Sequence, residues 1–280
     1  MRRIAIALGV ALVSLASPAG SKATSSSTQT TSAEQQQAIV IQGRLKQAIG
    51  NFVQRLAQAG PTDQIAHWKN QVCPTVLGMD PVQGAFMEQR IDELARTVRL
   101  RPGGSNCLSA VAIVVTNDPN GFIADILRAY PISLRTDGWG RLKRFVQSDR
   151  PVRWISITDE CGYGCEIGSR IRRETAPALA WMLVVVDSNQ LHGVTVQELS
   201  DYVALVALTN PPDRPTAHPN SVLQLFDDPR PDSGSFGLTE YDRSFLAALY
   251  HEPVDRGAND QRSMIGRAME KSLKPKPQPK

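Results

Sequence analysis

Trp181-Met-Leu-Val-Val-Val186 and, after a short turn, Thr195-Val-Gln-Glu-Leu-Ser-Asp-Tyr-Val-Ala-Leu-Val-Ala-Leu208 decide the architecture of this chain. The first run is short, apolar and ends in three β-branched residues, which suits a strand buried on both faces. The second opens on a capping box, Thr195-x-x-Glu198, in which each side chain reaches the other's backbone N–H. Val196, Leu199, Tyr202, Val203, Leu205, Val206 and Leu208 then leave the helix almost no polar face, so it is predicted to lie at the centre of the fold.

Outward from this pair the chain is dense in element signals. Ala110-Val-Ala-Ile-Val-Val115 reads as a second buried strand, and Val152 to Thr158 as an alternating one with Trp154 opposite Ile155 and Ile157. Asp80-Pro81 and Asp118-Pro119 both place an Asp N-cap before a Pro at the first helical position, where the missing N–H is harmless. The helix after Asp80 is expected to bury Phe86, Met87, Ile91, Leu94, Ala95 and Val98 and to close at Pro102-Gly103-Gly104. The one after Asp118 turns Phe122, Ile123, Ile126 and Leu127 inward and stops at Pro131. Helices are also predicted over Ile39–Leu56, from Thr239 through Leu249, and around Met264, Ile265, Ala268 and Met269. Residues 210–220 and 228–237 read as loops, and Gly138 to Pro151 as the one stretch that could divide two lobes. The fold class is α+β: a central mixed sheet of three or more strands packed by five to six helices.

The N-terminus carries an address. Arg2 and Arg3 precede an apolar run, Ile4 to Ala16, then Pro18, Gly20 and a small-residue end at Ser21-Lys22-Ala23. This is the pattern of a cleaved secretory signal, and the run is too short to span a bilayer. The first cysteine is Cys73, so no lipidation site follows the apolar run. The expected organisation is a signal peptide over 1–23, a Ser/Thr/Gln-rich disordered leader over 24–37, one α+β domain over 38–273 and a basic tail over 274–280. The formal charge of +4 belongs to the ends: without Arg2, Arg3 and Lys22 it is +1, and residues 24–270 carry −3. No domain-wide basic face for nucleic acid is expected.

Four cysteines in an exported chain read as two disulfides. Three pairings are possible. Cys73–Cys107, flanking a helix, with Cys161–Cys165, closing a small loop, is the favoured one.

Candidate chemistry is sparse. Strand, turn, capped buried helix and a short Leu-Thr-x-x-Asp helix ending in Leu-Tyr follow the order of the back half of a zinc metalloprotease domain. The helix of such domains carries His-Glu-x-x-His, two imidazoles on one face with a base beside them. Here the five residues are Gln197-Glu198-Leu199-Ser200-Asp201. Glu198 keeps the position of the base, Gln197 is a poor ligand, and Glu198 also serves the capping box. His251-Glu-Pro-Val-Asp255 has Pro253 where a continuous helix is needed. Glu198, Asp201 and His251 are the candidate catalytic residues. His67, His192 and His218 are isolated in sequence. Neither metal nor cofactor is expected.

Val194 to Leu205, Asn220 to Phe226, Leu238 to Tyr250, and Asp63-Gln-Ile-Ala-x-Trp68 with Val72-Cys-Pro74 carry a resemblance to uncharacterised exported proteins of alphaproteobacteria. Some domains related to these look like degenerate zincins. The resemblance implies a periplasmic or secreted location and supplies no catalytic residue. The resulting expectation is a non-catalytic binding or scaffold domain that engages an envelope protein or cell-wall component. The alternative is a hydrolase built on Glu198.

Overall fold

The structure, a computed structural model, describes residues 27–59, 63–69, 71–103, 107, 110–130, 139–159, 177–213, 220–227, 237–251 and 256–274. The chain forms two compact units, Met1–Gly43 and Arg44–Lys280. The described part of the first is helical from Ser27 onward. Helix α1 (Ser27–Leu56) therefore begins inside the stretch 24–37 that composition marks as disordered. That stretch has no Gly or Pro, and its Gln, Ala and Glu residues are good helix formers.

The second unit is built on a four-stranded mixed sheet. Strands β2 (Pro74–Leu77), β4 (Val111–Thr116) and β6 (Ala178–Asp187) run parallel, and β5 (Val152–Asp159) closes the edge antiparallel to β6, in the order β2-β4-β6-β5. Val111 pairs with Met182 and Val115 with Val186; Trp154 pairs with Val184. Two shorter strands, β1 (Gln71–Val72) and β3 (Arg101–Pro102), pair with each other. Seven helices are described, against the five to six expected: α1, α2 (Pro81–Thr97), α3 (Pro119–Ala129), α4 (Trp139–Gln147), α5 (Val196–Thr209), α6 (Glu240–His251) and α7 (Ala258–Leu273). Helix α4 is the addition. It occupies the stretch read as a possible lobe boundary, and Leu142 and Phe145 pin it to the sheet.

Strand alternation divides the core. Val111, Ile113 and Val115 of β4, with Met182, Val184 and Val186 of β6, face a large cluster built with α1 from Leu45 on, α2, α5, α6 and α7. Leu183 and Val185 of β6 and Ile155 of β5 face a smaller cluster with Ile123, Leu142 and Phe145. The continuous apolar runs of β4 and β6 are explained by this double burial. Helix α5 is buried from Glu198 through Thr209.

The caps form as predicted. Asp80 accepts from the backbone N–H of Val82 and Gln83, Asp118 from Gly121, and the Thr195–Glu198 box is complete. Two details of α2 differ. Phe86 is exposed, because the buried arc is centred on Met87, Ile91, Leu94 and Ala95, about 100° away round the helix. The helix also ends at Thr97, five residues before Pro102. The N–H of Leu100 returns to the carbonyl of Ala95 and that of Arg99 to Arg96, a Schellman closure. The disulfide Cys73–Cys107 joins the end of β1 to the segment after β3, with Cα atoms 5.9 Å apart. Cys161 and Cys165 lie outside the described residues, as do the signal-like stretch 1–23 and nearly all of the tail. No described helix is long and apolar enough to cross a membrane.

Candidate functional site

The candidate residues of the sequence are distributed along α5 and α6. Glu198 closes the capping box: its Oε2 accepts from the N–H and the hydroxyl of Thr195, both at 2.9 Å. Asp201 lies one turn further, buried, and accepts from Arg90 Nε at 2.5 Å and from the Leu238 N–H at 3.1 Å. His251 is the last residue of α6, where Nδ1 donates to the Ala247 carbonyl at 2.9 Å. Tyr250, beside it, is anchored to Leu208 near the far end of α5. Ten residues of helix, about 15 Å, separate that anchor from Glu198. The fold thus brings Glu198 and Asp201 onto one helix and keeps His251 apart from Glu198.

A third carboxylate was not singled out by sequence. Asp242 is fully buried and accepts from Ser221 Oγ, Val222 N–H and Thr239 N–H at 2.7, 2.8 and 3.1 Å. Burial pushes its carboxyl above the ordinary range, against those hydrogen bonds. Its work is to tie the 3₁₀ turn Val222–Phe226 to the start of α6. Among the described residues, no group of three or more His, Cys, Asp or Glu is arranged to hold a metal ion.

Three segments distant in sequence instead line an open cavity of about 430 Å³. His67, Trp68 and Lys69 come from the strap that precedes β1. Val98, Arg99 and Leu100 are the closing turn of α2. Tyr250 and His251 end α6. Each is fixed by backbone hydrogen bonding. His67 bridges to Ala178 at the start of β6, its carbonyl accepting from the Leu179 N–H at 3.1 Å. Trp68 Nε1 donates to the Ala207 carbonyl at 2.7 Å, and Tyr250 donates its hydroxyl to Leu208 at 2.7 Å. The two carbonyls belong to successive residues of α5, so its last turn sets both aromatic walls.

Arg99 has φ +64°. The Schellman closure requires the left-handed conformation at this position, and glycine is its usual occupant. An arginine there costs on the order of 1 kcal/mol. The closing turn of α2 thereby places an exposed arginine on the lining of the cavity.

The imidazole of His67 is buried and meets the Tyr250 ring edge-on, with centroids 5.2 Å apart. Burial pushes it below 6.5; the Ile65 carbonyl, at 3.4 Å from Nδ1, opposes this, and the charge of Lys69 adds to it. A carbonyl can only accept, so Nδ1 carries the proton in both His67 and His251. Lys69 and Arg99 have no ion-pair partner among the described residues, and no described carboxylate lines the cavity.

The groove between α1 and α7, of about 630 Å³, is different in kind. Glu270 lies among its Lys46, Arg262 and Arg267, and Arg262 is tied to the Ala57 carbonyl and Asn259. Sequence reading missed the cavity at His67 because His67 and His251 are 184 positions apart. The one local signal was the aromatic-basic strap His67-Trp68-Lys69 close before Cys73.

No protein-family model, curated protein or solved structure matches the chain.

Proposed function

We propose that the chain is an exported, disulfide-stabilised envelope protein that binds a ligand without transforming it. The observation that carries this reading is the employment of its buried carboxylates. Glu198 caps α5, Asp201 neutralises Arg90, and Asp242 holds a turn, each through two or more hydrogen bonds within the fold. A general base needs a lone pair free to meet substrate. The cavity at His67 offers cations and imidazoles in its place. Export is supported by the charged-then-apolar N-terminus and by the Cys73–Cys107 bond, which suits an oxidising compartment. The degenerate zincin scaffold belongs to the same proposal: Gln197 to Asp201 would be the remnant of its helix motif.

Fractionation of cells making the full chain tests the first half. Recovery outside the cytoplasm with a new N-terminus near Thr24 is expected; retention in the cytoplasm with Met1 intact overturns it. Incubation with casein and with p-nitrophenyl esters tests the second half, alongside metal content of protein purified without chelator. Hydrolysis abolished by Glu198→Gln, or stoichiometric zinc, overturns the binding reading.

A further inference from the structure

We infer that the cavity between the His67–Lys69 strap, the Arg99 turn and the end of α6 is an anion site, taking the carboxylate or phosphate group of a small ligand. The inference rests on the binding reading above and names the ligand class.

Three observations converge on it. The charge is one-sided: Lys69 and Arg99 reach the cavity without ion-pair partners among the described residues, and no described carboxylate faces them. Surface lysines and arginines ordinarily point into solvent, so charge alone would say little. Arg99 is different, because it occupies a left-handed position at φ +64° where glycine would close the same turn without strain. A strained residue that brings charge to a cavity is an observation from which function is argued.

The second observation is the state of the imidazoles. Nδ1 of His67 and Nδ1 of His251 are both committed to backbone carbonyls. In that tautomer Nε2 of each is a lone-pair acceptor without a hydrogen-bond partner among the described residues, so it can receive the O–H of a singly protonated phosphate but adds no donor to an anion. The third is the aromatic lining of this open cavity. Trp68 and Tyr250 wall the cavity with aromatic surface held from α5. An apolar wall lowers the local dielectric, which strengthens a charge-assisted hydrogen bond from guanidinium or ammonium to an anion. The volume of about 430 Å³ suits a small molecule.

The position of the two cations is also braced. Lys69 stands two residues before β1 and Arg99 two residues before β3, and these strands pair directly, Gln71 with Arg101. The disulfide from Cys73 ties the same two arms together a few residues further on. The spacing of the two backbone positions that bear the charges is therefore built into covalent and backbone structure.

Titration calorimetry on the full exported chain tests the inference, with inorganic phosphate, benzoate and, as a cationic control, choline. Binding of phosphate, benzoate or both is expected, and none of choline. Phosphate alone points to a phosphoryl ligand or the free ion; benzoate points to an organic acid whose ring meets Trp68 and Tyr250. Arg99→Gly should weaken that binding about tenfold or more while raising the melting temperature or leaving it unchanged. Lys69→Gln, on an exposed side chain, gives the same reading should Arg99→Gly disturb the turn. Absence of binding by both anions up to about 10 mM overturns the inference, as does affinity unchanged in both variants. Cytoplasmic retention or Glu198-dependent hydrolysis would leave these titrations standing, so the two failures are distinguishable.

Discussion

Arg90 Nε meets Asp201 Oδ1 at 2.5 Å, joining α2 to α5 across 111 residues of chain. The carboxylate is almost completely enclosed, and its second oxygen accepts from the Leu238 N–H. Removing one partner of such a pair leaves the other uncompensated, which costs more than the pair itself contributes. Asp201→Ala is expected to lose about 3 kcal/mol, read from urea denaturation. Asp201→Asn, which keeps an acceptor for Leu238, should lose less. A loss within experimental error in the alanine variant would mean that Arg90 and Leu238 find water instead.

His67 makes stability depend on pH in a definite direction. Its folded pKa lies below the unfolded 6.5, so below that value the unfolded chain binds a proton that the folded chain does not. The stabilisation is present above pH 6.5 and is lost as pH falls through the folded pKa. Asp242, raised by burial, works in the opposite sense. The comparison is therefore between wild type and His67→Gln, with melting followed from pH 7.5 down to about 5. The wild type should lose melting temperature faster; parallel curves would remove His67 from the account.

Two glycines should respond oppositely to alanine. Gly78 turns the chain after β2 at φ +82°, and a Cβ there would stand 2.0 Å from the Val115 carbonyl oxygen. Strain and collision together should cost at least about 2 kcal/mol. Gly266, within α7, has nothing within 4 Å of the same position. Gly266→Ala should stabilise by about 0.5–1 kcal/mol. Denaturation of the two variants checks both signs.

The Cys73–Cys107 bond closes a loop of 34 residues. Its removal by paired Cys73→Ser and Cys107→Ser substitutions should lower stability by about 2–4 kcal/mol. The same variant should bind anions more weakly, since the arms bearing Lys69 and Arg99 lose their covalent tie. Unaltered denaturation would place the bond outside the cooperative unit.

Local chemistry was legible and convergence was not. The Asp80, Asp118 and Thr195 caps could be read because donor and acceptor lie within three residues of each other. The runs of β4 and β6 could be read because both faces are buried, and α5 because it has no polar face. The pairing of Cys73 with Cys107 could be favoured because a single helix lies between them. The end of α2 could not, because its closing turn is made by backbone hydrogen bonds around an arginine and lacks the glycine that usually announces it. Strands β1 and β3 are two residues each, too short for any alternation. The cavity at His67 is assembled from three segments whose proximity is a property of the whole fold.

The strap that carries His67 has a consequence for the order in which the chain can fold. The carbonyl of Ala57 and the N–H of Ile65 are met by Arg262 and Gln261, and the carbonyl of Asp63 by the N–H of Ala258. These donors and acceptors lie about 200 residues apart and include the first turn of the last helix. A nascent chain cannot complete the strap until residues 258–262 have emerged, and contacts of such separation form slowly. The strap is therefore fastened only after the segment 258–262 has been made, late relative to the strands and helices that lie between.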